Sequence, residues 1–531
     1  MPPRKKNPEQ PQTMRDLHDI LWKSADKLRG SMDASQYKDF VLGLVFLKYV
    51  SDAFAERRDQ IRAELAEQGI PESRTDNFLD DRDEYTGHGV FWVPESARWK
   101  NLVRESGDNP GEKIDQAMDE IMKSNDPLTG VLPKIFNRDN VDQIRLGELL
   151  ALISDARFTG HGDRPARDVL GEVYEYFLDK FAKAEGKRGG EFYTPSSVVK
   201  LLVEVLEPYS GRVYDPCCGS GGMFVQAEKF VTAHRGRRED LSVYGQEANE
   251  RTWRLAKMNL AIHGIGGNIG PRWADTFRED KHPDVKADFI LANPPFNMSD
   301  WARRPDDARW RYGTPPAGNA NFAWLQHIVS KLRETGSAGV VLSNGSLSSQ
   351  QSGEGDIRAA MVEADLVSCV IALPTQLFRT TQIPACLWFF TANKGPQGAK
   401  RFTERRGETL FIDASNMGKM VSRTERELTG DELAKIAGTF HAWRGTKSAL
   451  ETAQKYGDVP GFCYSATTEE IRSHNHILTP GRYVGSTIVD DADTEPIADK
   501  IKRLTEELYD QFNRSAQLDK LIQEQLERID G

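Results

Sequence analysis

Cysteine is scarce in this chain, five residues among 531, and no two of them stand in a Cys-x2-Cys pair. That excludes a finger-type zinc framework and a disulfide lattice, and it suits a reducing cytoplasm. Long apolar runs are lacking too: the densest, Phe40 to Val50, is interrupted by Lys48 and is too short to span a bilayer. Met1-Pro2-Pro3-Arg4-Lys5-Lys6-Asn7 has no apolar core of the kind a secretory signal needs. Phosphate-loop spacing is missing around Gly186-Lys187 and Gly418-Lys419, which have neither the upstream glycine nor the following Ser or Thr. His474-Asn475-His476 spells a nuclease motif, but Ile477-Leu478-Thr479-Pro480-Gly481 does not supply the ββα surroundings that its metal would require. Neither ATP hydrolysis nor strand cleavage is therefore expected. Positive charge is also in deficit, 70 Lys and Arg against 80 Asp and Glu, a formal net charge of -10. Such a chain cannot grip a polyanion over its whole surface; it owns a local basic channel or borrows one.

What the chain does carry is a constellation in a telling order. The run Phe289-Ile290-Leu291-Ala292 ends in Asn293-Pro294-Pro295-Phe296. An amide oxygen and a proline carbonyl accept both protons of an exocyclic amine while an aromatic ring stacks on the base that bears it, which points to adenine N6. Proline pairs are also ordinary loop starters after a strand, so the tetrad gains its meaning from its company. Upstream, Val213-Tyr214-Asp215 runs through Pro216-Cys217-Cys218 into Gly219-Ser220-Gly221-Gly222 and then an apolar helical run. Glycines at a strand-to-helix junction permit positive φ and let backbone approach a ligand at the helix N-terminus. A second strand, Leu241 to Gln246, ends in Glu247, where an open α/β sheet places the acceptor for a ribose diol. Asp275, in Trp273-Ala274-Asp275-Thr276, is suited to accept from an adenine amino group.

Taken singly, Glu247 and Asp275 read as solvated loop acids. In this order, with the tetrad following, they indicate an enzyme with a nucleoside cofactor. A dinucleotide would use the same turn and acid. Asp215 beside the turn, however, offers an anionic group to a cationic ligand, and hydride transfer has no use for the tetrad. S-adenosyl-L-methionine fits better. Methyl transfer from it needs an in-line nucleophile held close, so positioning suffices and no metal is expected.

Periodicity divides the chain into three parts: a helical domain over residues 1–160, a catalytic domain over 161–484 and a helical tail over 485–531. The first shows helical faces at Leu17, Ile20, Leu21, Ala25 and Leu28, then the run from Phe40, then Ile114, Met118, Ile121 and Met122. In the second, a stripe from Val169 to Phe181 leads to Thr194-Pro195, a predicted helix cap followed by proline at the first helical position. Strands predicted at 211–215, 241–246, 287–292, 338–343, 366–373, 385–391 and 409–413 alternate with helices, the pattern of a seven-stranded, mostly parallel α/β sheet. The segments at 366–373 and 385–391 leave no room for a crossover helix, so they form an antiparallel hairpin, expected at the sheet edge. In the tail, Ile497, Ile501, Leu504, Leu508, Leu518, Ile522 and Ile529 make an apolar seam that needs a partner or its own domain. Candidates for a local basic channel are Trp301-Ala302-Arg303-Arg304, Arg309-Trp310-Arg311 and Lys400 to Arg406; the first pair, following the tetrad, could stack on or flank an extruded base.

The motifs Gly189-Gly190-Glu191-Phe192-Tyr193-Thr194-Pro195, Asp215 to Met223, Glu247, Asp275 and Asn293 to Phe296 resemble those of N6-adenine DNA methyltransferases in which the cofactor half precedes the catalytic half. In particular the chain is similar to the modification subunit of type I restriction-modification systems. That likeness extends to the helical stretch from Asp16 to Phe54, to Asn319-Ala320-Asn321-Phe322-Ala323-Trp324-Leu325 and to Leu373-Pro374-Thr375-Gln376-Leu377-Phe378, and so covers most of the chain. The resemblance implies an S-adenosyl-L-methionine-dependent sheet with Glu191, Phe192, Tyr193, Thr194, Pro195 and Ser196 lining the methionine end of the cofactor. Asp215, Gly219, Ser220, Gly221 and Gly222 would join them, with Glu247 on the ribose and Asp275 on the cofactor adenine. Cys217-Cys218 departs from the pattern, where alanine is more usual; cysteine is small and tolerates burial.

The same resemblance implies double-stranded DNA with a flipped adenine as substrate, and a specificity subunit flanked by two copies of this chain. A restriction or translocase subunit is a further implied partner. Two other classes share some of these signals. A methyltransferase of a protein glutamine amide uses a similar tetrad on a planar nitrogen, and a non-catalytic scaffold could keep the fold alone. The long helical module and the tail seam speak against the first, the intact tetrad and glycine turn against the second.

Overall fold

A computed structural model describes residues 34–105, 107, 109–154, 166–185, 194–234, 236–378, 383–397 and 402–485, with residue 18 and isolated positions between 503 and 518. Met1–Val484 is one compact unit and Gly485–Gly531 a second. The first helix described over its length is α1 (Ala34–Glu67). Val41, Leu42, Leu44, Val45, Phe46 and Leu47 are all buried, so this stretch of α1 is covered on every side, as a helical segment that is apolar all round must be. Lys48, the charge that interrupts this run, is satisfied by Asp52 one turn on. Helix α2 (Pro110–Ser124) starts where Asn109 accepts from the Glu112 amide and Pro110 takes the first turn, and it buries Ile114, Met118, Ile121 and Met122 on one face. With α3 (Gln143–Ser154) and α4 (Ala166–Glu185), these helices share one hydrophobic core.

Beyond α4 the chain forms α5 (Ser196–Leu206), β1 (Gly211–Asp215), α6 (Gly222–Ala233), β2 (Leu241–Gly245), α7 (Glu250–His263), β3 (Gly267–Asn268) and β4 (Ala287–Ala292). Next come α8 (Asn321–Ser330), β5 (Leu332–Ser343), α9 (Glu354–Glu363), β6 (Val367–Ala372), β7 (Ala385–Thr391) and β8 (Glu408–Asp413). A small ribbon of β9 (Lys419–Met420) and β10 (Arg426–Glu427) follows, then α10 (Gly430–Arg444) and β11 (Cys463–Thr467).

The sheet has nine strands rather than seven, in the order β11-β8-β6-β7-β5-β4-β1-β2-β3. All seven expected strands are present. The additions are β3, only two residues long and parallel to β2, and β11, an antiparallel strand on β8. The antiparallel hairpin of β6 and β7 is not at the edge: β7 pairs with β5 on its other side, and β8 and β11 lie beyond β6. Every residue of β6 and β7 is buried, which explains their mostly apolar composition. Helices α5, α6, α7 and α10 contribute to the core on one face, and α8 and α9 to that on the other.

Helix α7 joins the two hydrophobic regions. Trp253, Ala256 and Leu260 face the sheet core, whereas Leu255, Met258 and Ile262 enter the helical core, two stripes at helical spacing on one element. Among the described residues, no helix is long and apolar enough to cross a membrane. In the second unit the described positions between 503 and 518 are helical, and Leu508, Tyr509, Phe512 and Leu518 are exposed. The other seam residues, Ile497, Ile501, Leu504, Ile522 and Ile529, lie outside the described residues.

Candidate active site

The C-terminal end of β1 carries the glycine turn. Gly219 and Gly221 have φ of 54° and 80°, a left-handed backbone that side chains disfavour. The turn is held by backbone bonds from Gly221 N to Cys218 O (2.8 Å), from Cys218 N to Gln246 O (2.9 Å) and from Gln246 N to Asp215 O (3.0 Å). Asn259 of α7 adds a side-chain bond to Ser220 O (2.8 Å). A Cβ built on Gly219 or Gly222 meets nothing within 4 Å, whereas one on Gly221 would touch Ala256 at 3.8 Å. Gly219 and Gly222 thus leave room for a ligand, and Gly221 serves through its φ.

A cavity of about 110 Å³ opens on this turn, lined by Thr194, Ser196, Asp215, Gly219, Ser220, Gly222 and Asn293, with Glu175, Leu178, Met223 and Asn259. Asp215 is buried, and its Oδ1 accepts from the Cys217 amide (3.0 Å). Burial pushes its carboxyl up to about 7, opposed by that amide bond and aided by the nearby charge of Glu247. Glu247 closes the turn from β2: its Oε2 accepts from Gly219 N (3.0 Å) and its Oε1 from Asn249 N (2.8 Å). One loop further, Ala274 N bonds Glu247 O (2.8 Å), and Asp275 Oδ1 accepts from the amides of Phe277 (2.7 Å) and Arg278 (3.1 Å). Glu191, Phe192 and Tyr193 lie outside the described residues.

The tetrad follows β4, and its Asn293 lines the same cavity. Asn293 Nδ2 donates to Thr194 Oγ1 (2.8 Å), while Asn293 Oδ1 is buried without a partner among the described residues. Thr194 is therefore not the helix cap that its position before proline suggested. The helix starts one residue later, with Pro195 at the cap position and no side-chain cap bond, because the threonine hydroxyl is turned toward Asn293. Pro294 is buried and Pro295 half-buried. Phe296 meets Phe378 edge to face, centroids 5.9 Å apart, so the segment after β6 supports the aromatic of the tetrad. Asn297 has φ of 54° and is held by Asn321: Asn297 N donates to Asn321 Oδ1 (3.0 Å), and Asn321 Nδ2 donates to Asn297 Oδ1 (2.9 Å). Asn259, Asn321 and Phe378 had no assigned role in the sequence reading, since only the fold brings them here.

The segment after the tetrad corrects an expectation. Trp301 and Trp310 are buried with Phe277, Ala320, Ala323 and Trp324 in a small separate core, so neither ring is available to stack on a base. Arg309 is engaged internally with Asp307 (2.6 Å), whereas Arg303, Arg304 and Arg311 are exposed. In the third basic stretch, Arg405 pairs with Glu408 and Arg406 with Glu404, which offsets the charge of these two, while Lys400 and Arg401 lie outside the described residues.

Fold and site together define the class, an α/β methyltransferase. The family described as N-6 DNA methylase matches residues 165–492, and the HsdM N-terminal domain matches residues 17–153. The chain is 48% identical over 455 residues to the type I restriction enzyme HindI methylase subunit of Haemophilus influenzae, covering 82% of this chain and 99% of that protein. It is 39% identical over 531 residues to the MjaIX methylase subunit of Methanocaldococcus jannaschii, covering 97% and 91%. A type I restriction-modification methyltransferase subunit from Streptococcus thermophilus superposes with a TM-score of 0.72 at 26% identity, covering 90% of this chain and 100% of that one. The chain belongs to the N-6 DNA methylase family, with the methylase subunits of type I restriction enzymes.

Proposed function

We propose that this chain transfers the methyl group of S-adenosyl-L-methionine to N6 of an adenine rotated out of duplex DNA, as the modification subunit of a type I restriction-modification complex. The observation that carries the reading is the Asn293 amide, with its nitrogen engaged by Thr194 and its oxygen buried without a partner among the described residues. A buried acceptor left unpaired costs about 1–3 kcal/mol, and an incoming exocyclic amine removes that cost.

The residues also fit the cofactor. Gly219 and Gly222 leave open space on the cavity, and Asp215, held near neutrality by burial, is a group that a cation would ionise. When bound, S-adenosyl-L-methionine supplies an electrophilic methyl group on sulfur. Thr194 fixes the Asn293 amide so that its oxygen is presented. Asn293 Oδ1 and the Pro294 carbonyl accept the N6 protons and polarise the amine, while Phe296, backed by Phe378, stacks on the base. Glu247 binds the ribose and Asp275 the cofactor adenine. Glu191 to Ser196, with Asp215 and the turn from Gly219 to Gly222, surround the methionine end.

Target recognition falls to a separate specificity subunit flanked by two copies of this chain, with a restriction subunit as a further partner. The formal charge of -10 and the exposed apolar residues Leu508 and Leu518 of the tail support a borrowed DNA surface and a docking helix. The test is nucleoside analysis of duplex DNA incubated with the cofactor and the chain, alone and with its specificity subunit. N6-methyladenine formed only with the partner present is the expected result. A methylated cytosine, or methyl transfer to protein alone, would overturn the reading.

A further inference from the structure

The 301–316 segment leaves the tetrad and returns to α8 pinned at both ends. Asn297 is clamped by Asn321, and Ala320 N bonds Met298 O (2.9 Å). Its middle rests on the loop that follows Asp275. Trp301 and Trp310 pack on Phe277, with ring centroids 5.0 and 6.3 Å away, and Cys217 of the glycine turn borders the same cluster. At the centre of this contact is Arg309. Its Nε and Nη2 form a fork onto Asp307 (2.9 and 2.6 Å). Its Nη1 donates to Thr276 O (3.2 Å) and to His327 Nδ1 (3.0 Å).

Both partners of Nη1 bear on the cofactor region. Thr276 follows Asp275, and its hydroxyl donates to Pro216 O (2.6 Å), beside Asp215. His327, on α8, is within 3.1 Å of the Tyr214 hydroxyl on β1 through Nε2. Burial and the adjacent Arg309 hold this imidazole down to about 3, so it stays neutral and keeps Nδ1 as an acceptor. One planar cation thus joins the segment after the tetrad, the Asp275 loop and β1. Lysine could not replace its fork. The outer side of the same segment carries the exposed Arg303, Arg304 and Arg311.

We propose that Arg309 is a positioning residue that couples the cofactor loop to the 301–316 segment, so that filling the cofactor seat orders the segment presenting Arg303, Arg304 and Arg311 to the DNA backbone. This rests on the function proposed above. Neither Arg309 nor Asp307 touches the cofactor seat, so their loss breaks communication and spares binding.

The experiment is amide hydrogen exchange on the full chain with and without S-adenosyl-L-homocysteine, for wild type, Arg309→Gln, Arg309→Lys and Asp307→Asn. In wild type the ligand is expected to slow exchange both at residues 274–278 and at residues 298–316, the latter by at least about fivefold, the lower end of common coupling. In the three variants the first protection remains and the second falls below about twofold. A merely structural role would raise exchange in 298–316 equally with and without ligand, and equal ligand-induced slowing in wild type and variants would overturn the inference alone. Absence of any protection at residues 219–222 and 274–278 in wild type would overturn the functional reading as well. Asp307→Asn keeps the cation and weakens only the fork, so it supplies the answer if Arg309→Gln does not fold.

Discussion

Burial sets the chemistry of Asp215. A carboxyl of ordinary value 3.8 is pushed up to about 7, because desolvation outweighs the Cys217 amide bond and Glu247 adds like charge. The sign follows. Its folded value lies above its unfolded one, so the stability it contributes is fully present below 3.8 and is lost as pH rises through about 7. A cationic ligand reverses the preference by favouring the carboxylate. Affinity for S-adenosyl-L-methionine should therefore rise between pH 6 and 8, roughly the window around the shifted value, while that for the uncharged-sulfur homocysteine product stays flatter. Calorimetric titration of wild type and Asp215→Asn checks this, and an identical pH slope for both ligands would remove Asp215 from the methionine end. At this scale some roles were legible in the sequence and others were not. Asn293 and the glycine turn announce themselves by residue type. Trp301 and Trp310 do not, because tryptophan beside arginine has the same local spelling whether it packs on Phe277 or awaits a base, and Thr194 before a proline looks like a cap until Asn293 claims its hydroxyl.

The strand-turn-helix unit of β1 and α6 separates two uses of glycine. Gly222 has an open Cβ direction and lines the cavity, whereas Gly221 adopts a φ of 80° with Ala256 at ordinary contact distance. Gly222→Val should weaken cofactor binding more than about tenfold by filling the seat, with little loss of stability. Gly221→Ala should lower unfolding stability by about 1–2 kcal/mol through its left-handed backbone while leaving affinity nearly intact. Titration and denaturant unfolding of both variants distinguish the roles, and the reverse pattern would place the ligand on the other side of the turn. Among the elements, the seven strands with apolar runs were legible. The two-residue β3 has no periodicity to detect, and β11, Cys463-Tyr464-Ser465-Ala466-Thr467, is too polar and short to stand out. The β6–β7 hairpin was legible as a hairpin, but its insertion between β5 and β8 is a choice of pairing partner that local sequence does not encode.

At the scale of the whole molecule, helix α7 ties the helical core to the sheet, and α4 brings Glu175 and the core residue Leu178 to the cofactor cavity. The exposed positive charge that follows the tetrad is the trio Arg303, Arg304 and Arg311, small against a net -10, which is why DNA affinity is assigned chiefly to the assembly. The central claim is narrower: the unpartnered oxygen of Asn293 receives the amine that is methylated. Its most direct test is single-turnover methyl transfer by the complex with its specificity subunit, comparing wild type with Asn293→Ala at saturating cofactor and DNA. The expected result is a loss of at least about a hundredfold in the transfer rate, the scale of removing one group that polarises the reacting centre, with cofactor affinity changed less than about twofold. Equal transfer rates in the two proteins would contradict the account.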